Sequence, residues 1–347
     1  MVSVLNAPLA PRAFQDYMDA QGFTDGLPVV PPTPDLVAEM VAASGVAPGT
    51  VVCQVAPSEA DASIEKVAAN AVMAGCKPEY MPVLVAALKA MADPVFNLAA
   101  VQGTTHPCAP LVLVNGPIRQ AIGINCGSGV FGQGFRANAT IGRAVRLILM
   151  NIGRALPGKT DMATMGSPAK FSFCAGENEE QSPWEPYHVE HGYAASDSTV
   201  LLHSGEAPHN IQEHGSRVWD ELLITISDCI NTTGNNNIGL CGELMLVLCP
   251  EHARILAEGG LSKEDVRQEL HRRTRFRIER WGKRLREWYR GHRPSTDTGP
   301  EIEEFPFFDA ASQYIIVVAG GAGLHSMIVP SLGGLSHATR QKVILPA

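Results

Sequence analysis

Three apolar runs, each followed by a turn rich in glycine or proline, constrain the fold of this chain most strongly. They are APLVLVNGPI (109–118), LMLVLCPEHA (244–253) and YIIVVAGGAGLH (314–325). Continuous apolar strands of this kind are typical of a sheet buried on both faces. The runs predict an α/β fold, with a mixed or mostly parallel sheet flanked by helices and with ligands at the carboxyl ends of the strands.

The first two runs align at a fixed offset, which favours an internal duplication of a strand-turn-helix unit. We therefore expect one large α/β unit over residues 1–347. Its two related halves would span about 45–160 and 195–347, and residues 1–44 would form an N-terminal arm.

Helical spacing of apolar residues predicts helices at 61–74 and 78–92. A dense run of arginines predicts a long helix over 263–293, with a solvated face that pairs with acidic residues, and 297–306 is expected to be an acidic connector. The segment 171–214 has little apolar periodicity, so we expect it to be irregular and functional.

Composition narrows the class of protein. The net charge of -8 argues against a nucleic-acid partner. No apolar stretch of about 18 residues is free of charge, and the N-terminal segment lacks a basic region and an apolar core. We therefore expect a soluble cytoplasmic protein with no membrane partner. The eight cysteines form no C-x-x-C pair, so we expect them to be reduced and mostly buried.

A glycine-rich stretch, NCGSGVFGQGFRANATIGR (125–143), contains the pattern G-x-G-x-x-G and leads into a predicted helix. A dinucleotide fingerprint needs a strand directly before the glycines and an acidic residue about 20 positions after them. Neither is present here, because NGPIRQAIGIN separates the strand from the loop and no Asp or Glu lies between 125 and 160. The sequence therefore disfavours NAD and FAD as cofactors.

The same stretch is suited to holding an anionic group. Glycines allow the backbone to approach a ligand, and a helix N-terminus attracts anions. We expect the substrate to be bound by Gly127, Ser128, Gly129, Gly134, Arg136, Asn138 and Arg143. In the alternative interpretation, the glycines serve close packing and the arginines pair with carboxylates elsewhere in the fold.

Five residues are candidates for catalysis. Cys126 lies near a helix N-terminus and arginines, where a thiol pKa is lowered. Cys108 lies two residues from His106, which can act as its base. Glu177 is a candidate acid or base, and His325 follows the glycine turn of the third apolar run. Buried packing thiols and a structural histidine are the alternatives.

His188 and His191 are candidate metal ligands in a segment rich in histidine and glutamate. A complete metal signature such as H-E-x-x-H is absent from the sequence. The sequence leaves the cofactor unknown, with a transition metal ion as one possibility.

Several segments together resemble a bacterial family of uncharacterised proteins, whose members are sometimes found alongside UGSC-type selenoprotein-like proteins. The segments are TDGLPVVPPTP, IEKVAANAVMAGCKPEYMPV, GTTHPCAPLVLVNGPI, GFRANATIGRAVRLILMNIG, PEHARILAEGGLSKEDV and VVAGGAGLHSM. The resemblance covers most of the chain and implies no established activity. The UGSC motif itself is absent, which argues against a selenoprotein-style redox role.

These observations predict an enzyme that acts on a small anionic or carbonyl-type metabolite through a cysteine thiol beside the glycine-rich loop. A metal-dependent lyase or hydratase with His and Cys ligands is a second candidate. A non-catalytic subunit that binds a ligand or a partner protein is a third. We expect the protein to be a homo-oligomer in any of these roles.

Overall fold

The computed structural model of the protein describes residues 6–8, 10–290 and 303–346, and the predicted α/β fold is confirmed. The helices of these residues are α1 (Pro11–Gln21), α2 (Pro34–Ser44), α3 (Ile64–Ala74), α4 (Met81–Met91), α5 (Leu98–Gly103), α6 (Ile118–Ala121), α7 (Arg136–Asn151), α8 (Tyr187–Glu190), α9 (Trp219–Ile230), α10 (Asn236–Leu240), α11 (Pro250–Glu258), α12 (Lys263–Arg273) and α13 (Lys283–Arg290). Among these described helices, none is long and apolar enough to cross a membrane.

The first described strand begins at Val51. They are β1 (Val51–Val55), β2 (Ala60–Ser63), β3 (Ala109–Asn115), β4 (Cys174–Gly176), β5 (Thr199–Gly205), β6 (His209–Gln212), β7 (Leu244–Leu248), β8 (Arg275–Arg277), β9 (Glu304–Pro306), β10 (Tyr314–Val318), β11 (His325–Pro330) and β12 (Thr339–Lys342). The three apolar runs thus form β3, β7 and β10, in which every residue is buried.

The described strands form two mixed four-stranded sheets rather than the one sheet that the sequence predicts. Their strand orders are β12-β5-β3-β4 and β10-β7-β11-β6, and two further antiparallel pairs, β1-β2 and β8-β9, lie outside them. Parallel pairing is restricted to β3 with β4 and β7 with β10, so the sheets are not mostly parallel. Of the two predicted alternatives, the mixed sheet is confirmed. The structure has two sheets instead of one, because strands buried on both faces have the same sequence pattern whether a helix layer or a second sheet covers them.

The two sheets pack face to face and each carries helices on its outer face. Alternate side chains of β3 and β7, such as Leu111 and Val247, meet in a core between the sheets. The other faces pack against α3, α4 and α7 on one side and against α9, α11 and α12 on the other. Layers of helix, sheet, sheet and helix explain why β3, β7 and β10 are buried along their whole length.

Both sheets have the same succession of pairings. β3 pairs in parallel with β4 and antiparallel with β5, which pairs antiparallel with β12. Likewise β7 pairs in parallel with β10 and antiparallel with β11, which pairs antiparallel with β6. One edge strand of each sheet comes from the chain segment that follows the other sheet's strand. β6 follows β5 of the first sheet in the chain but pairs with β11 of the second, and β12 follows β11 of the second sheet but pairs with β5 of the first. This topology is in keeping with the internal duplication, which stays a prediction.

The N-terminal segment packs on the helix layer of the first sheet. Phe14, Met18, Val29 and Met40 are buried in its core. Arg143 of α7 holds this segment through a paired contact with Asp25. The sequence predicts an arm over residues 1–44, and the described part of them is bound to the core in this way.

Two expectations for local structure are wrong. The predicted helix over 263–293 is interrupted, because the Thr274 hydroxyl bonds to the Leu270 carbonyl and Phe276 is buried in the strand β8, which pairs with β9. Residues 291–293, and 297–302 of the acidic connector, lie outside the described residues. The segment 171–214 is not irregular throughout, because it contains β4, the fully buried β5 and β6.

Candidate functional site

Cys126 lies where the carboxyl ends of β4 and β10 meet. The amide of Gly320, just after β10, donates to the carbonyl oxygen of Cys126 (2.8 Å), and the amide of Asn178, just after β4, donates to the carbonyl oxygen of Val318 (2.7 Å). Gly176 leaves room for the thiol, because a Cβ at this position would lie 2.5 Å from Cys126 Sγ. The position agrees with the expectation that ligands bind at the carboxyl ends of the strands.

Arg119 is the residue that organises this site. Its side chain rises from the short helix α6 and is 2% exposed. Nη1 donates to Cys126 Sγ (3.3 Å) and to the carbonyl oxygen of Glu177 (2.6 Å), and Nε donates to the carbonyl oxygen of Gly116 (3.1 Å). A guanidinium fixed at this many points presents its remaining donors in one orientation.

Two carboxylates complete the coordination of Arg119. Glu179 Oε2 lies 2.8 Å from Nη2. Glu180 accepts hydrogen bonds from both terminal nitrogens, with Oε1 3.0 Å from Nη2 and Oε2 3.2 Å from Nη1. Glu179 also accepts the amide of Gly116 (2.6 Å), whereas the Glu180 side chain is half exposed. The hydrogen bond from Arg119 lowers the pKa of Glu180. The positive charge of Arg119 is therefore already balanced in this structure.

The Cys126 thiol has a raised pKa, in contrast to the lowered one predicted from the sequence. Burial of the thiol raises its pKa, whereas the hydrogen bond and the charge of Arg119 lower it. The charges of Glu180 and Glu179 raise the pKa as burial does, so the net shift is upward. Cys126 is nevertheless partly exposed, whereas Cys108 and Cys174 are buried. The resting side chain is a protonated thiol at the surface of the site.

The glycine-rich loop borders the thiol and is closed by local hydrogen bonds. Asn125 Oδ1 accepts the amide of Gly127 (3.0 Å), and Asn138 Nδ2 on α7 donates to the carbonyl oxygen of Asn125 (3.0 Å). Gly129 and Gly134 have φ angles of 72° and 104°, which favour glycine. Asn138 thus fastens the loop to the helix, and the contact with substrate that the sequence predicts for it stays a prediction.

A second glycine turn touches the first one. A Cβ on Gly321, in the turn between β10 and β11, would overlap the hydroxyl oxygen of Ser128. The loop from the first sheet and the turn from the second sheet therefore pack directly against each other beside Cys126. On the other side of the loop, a cavity of about 120 Å³ is lined by Phe131, Gly132, Asn138, Ala139, Ser172, Phe173 and Cys174.

The two predicted arginines of α7 do not reach Cys126. Arg136 is exposed, and its Nε donates to the carbonyl oxygen of Gly75 (3.0 Å). Arg143 makes two 2.8 Å contacts with Asp25 and further bonds to the carbonyl oxygens of Leu27 and Pro28. Arg143 therefore pairs with a carboxylate elsewhere in the fold, as in the alternative interpretation of the sequence.

Glu177 is fully buried between the sheets next to this site. Its Oε2 accepts from the side-chain amide of Asn115 and from the backbone amide of Tyr187 (2.8 Å). Its Oε1 has no hydrogen-bond partner in the described part of the chain, and Lys263 Nζ lies 3.9 Å away. Burial raises the pKa of Glu177 to about 7, with Lys263 opposing. The carboxyl group therefore gains and loses a proton near neutral pH.

The second predicted thiol, Cys108, lies in the core. It is 1% exposed because it directly precedes β3, and burial raises its pKa to about 12. The His106 Nε2 contacts Glu206 Oε1 (2.5 Å), and Cys108 Sγ contacts the carbonyl oxygen of Val101 (3.8 Å). The catalytic roles of Cys108 and His106 stay predictions.

The remaining predicted residues, His325, His188 and His191, make no hydrogen bond to the Cys126 thiol within the described part of the chain. His325 begins β11 and contacts Asn210 and His214 of the neighbouring β6 segment. His188 is buried, with Nδ1 3.8 Å from Glu179 Oε1, and His191 stacks on Tyr187 at 4.1 Å between ring centroids. Within the ranges 6–8, 10–290 and 303–346, no group of three or more His, Cys, Asp or Glu side chains is arranged to hold a metal ion.

Arg119, Glu179 and Glu180 are not among the residues predicted from the sequence. Arg119 lies in NGPIRQ, four residues after the end of β3, and the glutamates follow Glu177 in ENEE. Their position just beyond the carboxyl ends of β3 and β4 was the available signal.

Comparison with known proteins adds no further constraint on the site. No model of a known protein family matches the chain. No curated protein sequence matches it either.

Proposed function

We propose that this protein is a thiol-dependent enzyme whose substrate is a small metabolite with a carboxylate next to a carbonyl group. The observation that carries this proposal is the position of Glu180 on Arg119. Its carboxylate takes both terminal nitrogens of the guanidinium, at 3.0 and 3.2 Å, and the same Nη1 donates to Cys126 Sγ at 3.3 Å. A carboxylate bound at this fork lies directly beside the thiol.

The Glu180 carboxylate marks the place that a substrate carboxylate would take. Arg119 is buried and is held by the carbonyl oxygens of Gly116 and Glu177 and by Glu179, so it stays in place without Glu180. The Glu180 side chain is 49% exposed, so its side of the ion pair is open to solvent and to an incoming carboxylate. Bidentate recognition of a carboxylate by arginine is strong and directional, so a ligand can displace Glu180.

Displacement of Glu180 would also supply a base. The hydrogen bond from Arg119 is the main reason for the low pKa of Glu180, and that pKa rises when the bond is lost. The displaced carboxylate then accepts the thiol proton of Cys126. The sulfur attacks the carbonyl carbon, a C–S bond forms, and the π electron pair moves to the carbonyl oxygen. The hydroxyl of Ser128, two residues from the thiol, is a donor for that oxygen.

A protection experiment with matched probes tests this proposal. The rate at which iodoacetamide alkylates Cys126 is measured by peptide mapping with no addition, and with pyruvate, acetate or acetone at equal concentration. Pyruvate carries both groups, and the other two probes carry one each. We expect pyruvate to slow alkylation of Cys126 more than acetate or acetone, and to leave Cys229 unaffected. Equal rates under all four conditions would contradict the proposal and favour a non-catalytic role.

A further inference from the structure

We propose that His214 and His325 form a binding site for a divalent first-row transition metal ion such as Zn²⁺, separate from the thiol site. The Nε2 atoms of the two rings lie 3.3 Å apart and both rings are exposed. Nitrogen ligands bind zinc at about 2.0–2.1 Å, so two of them in a tetrahedral site are roughly 3.3–3.4 Å apart. The two Nε2 atoms thus have the separation of neighbouring zinc ligands.

The pairing of β6 with β11 places these rings together. His325 lies opposite Gln212 in the antiparallel register of the two strands. Side chains alternate along a strand, so Asn210, Gln212 and the following His214 extend along one face beside His325. The strand pair thus fixes His325 beside Asn210, and His214 lies two residues beyond the end of β6.

Asn210 sets the tautomer of His325. Its Oδ1 lies 3.0 Å from Nδ1 of His325, and because an amide oxygen only accepts, Nδ1 carries the proton. The Nε2 atom of His325 therefore has a free lone pair, to which His214 Nε2–H donates when no metal is bound. A ligand histidine whose second nitrogen donates to an oxygen acceptor is the usual arrangement at metal sites. Metal binding requires the proton of His214 to move from Nε2 to Nδ1 through solvent.

The loop that carries His214 is rigidly fastened. Glu213 accepts the amides of Gly215 (2.9 Å) and Ser216 (3.0 Å), and Arg217 Nη1 donates to the carbonyl oxygens of residues 214, 215 and 216. The buried His252 donates to the carbonyl oxygen of Glu213 (2.9 Å). The site has two protein ligands, which leaves the other metal positions to water or to a small ligand.

A shallow cavity adjoins the histidine pair. It has a volume of about 340 Å³ and is lined by Arg217, Glu251, Arg254, Ile255, Gly323 and Leu324. Leu324 directly precedes His325 in the chain. The positive charges of the two arginines favour an anionic ligand. The same ligand can occupy the coordination positions of the metal that the two histidines leave open.

Zinc titration of metal-free protein tests the site. Calorimetry gives the number of Zn²⁺ ions bound by the wild type and by the variants His214→Ala, His325→Ala and His209→Ala. His209 is an exposed histidine on the same strand and serves as the control. We expect each of the first two variants to lose one equivalent of bound zinc and the control to lose none. Thiols bind zinc equally in all four proteins, so they do not contribute to the difference.

A second variant separates the site from a general effect on folding. Asn210→Ala keeps both ligands but loses the acceptor that orients His325, so we expect zinc affinity to fall by roughly 10- to 100-fold. Urea unfolding of the metal-free variants is expected to match the wild type, because the side chains are exposed. Equal zinc stoichiometry in the wild type, His214→Ala and His325→Ala would overturn the proposal.

Discussion

Arg119 and Cys126 are linked by a 3.3 Å hydrogen bond from a guanidinium that is almost completely buried to a thiol that is partly exposed. The same guanidinium nitrogen also contacts Glu180. In the proposed function, this nitrogen links the nucleophile to the place of the substrate carboxylate.

The packing of Gly176 against the thiol gives the first prediction. A Cβ in Gly176→Ala would lie 2.5 Å from Cys126 Sγ and 2.9 Å from Ile124 Cγ2. We expect urea unfolding to show that the free energy of unfolding falls by about 1–3 kcal/mol, the usual range for overpacking. Gly103→Ala is the control, because no described atom lies within 4 Å of a Cβ there. Unchanged stability in Gly176→Ala would mean that Cys126 is not confined as described.

The buried carboxyl of Glu177 predicts a dependence of stability on pH. Its pKa is about 7 in the folded chain, against 4.5 for an ordinary glutamate side chain. The folded chain therefore binds the proton more tightly, and this stabilisation is present below the unfolded pKa and is lost as pH rises from 4.5 to about 7. The free energy of unfolding is expected to fall by about 3 kcal/mol over this pH range. In Glu177→Gln we expect this fall to disappear.

Urea unfolding of both proteins at several pH values between about 4.5 and 8 measures the effect. Other titrating groups are the same in both proteins, so the difference between the two curves isolates Glu177. Parallel curves would show that Glu177 is not in a desolvated environment.

The pairing of Asp25 with Arg143 predicts how the N-terminal segment is held. Asp25 is 3% exposed and meets Arg143 with two 2.8 Å contacts. Removing one partner of such a pair leaves the other unpaired, so Asp25→Ala is expected to cost about 3 kcal/mol in unfolding free energy. Glu79→Ala, which breaks an exposed pair with Lys77, is expected to cost less than about 1 kcal/mol. Equal effects of the two changes would contradict a structural role for Arg143.

Three strands of the fold were predictable because their residues are almost all apolar. β3, β7 and β10 are clear in the sequence for this reason. β5 was missed because His203 and Ser204 interrupt its apolar run. The structure shows that His203 is buried and that its Nε2 contacts the carbonyl oxygen of Val329 (3.0 Å) across the junction of the sheets. A polar residue satisfied by a distant partner cannot be recognised from local periodicity.

The candidate site was predictable only in part. Cys126 and Glu177 were chosen for their chemistry and their loop positions, and they lie at the carboxyl edge of the sheets. The predicted direction of the Cys126 pKa shift was wrong, because the sequence indicates nearby positive charge but not burial or the acidic partners of that charge. Arg119 was missed since its importance depends on contacts between residues about 60 positions apart, which spacing in the sequence does not reveal.

The central claim is that Arg119 binds a carboxylate beside the Cys126 thiol, with Glu180 in the substrate's place. The measurement is the rate of alkylation of Cys126 by iodoacetate and by iodoacetamide as a function of reagent concentration. For each variant, the ratio of the iodoacetate rate to the iodoacetamide rate is compared with the same ratio in the urea-unfolded chain. Iodoacetate carries a carboxylate next to its reactive carbon, and its reaction forms an S–C bond and releases iodide and the thiol proton.

We predict that Glu180→Gln makes the iodoacetate rate saturate with concentration, because the reagent binds the free fork before it reacts, while the iodoacetamide rate stays linear. A further Arg119→Lys change keeps the positive charge but removes the fork, so it should abolish saturation. Thermal unfolding of each variant verifies that it is folded. A linear iodoacetate rate in folded Glu180→Gln, or saturation that survives Arg119→Lys, would contradict the account.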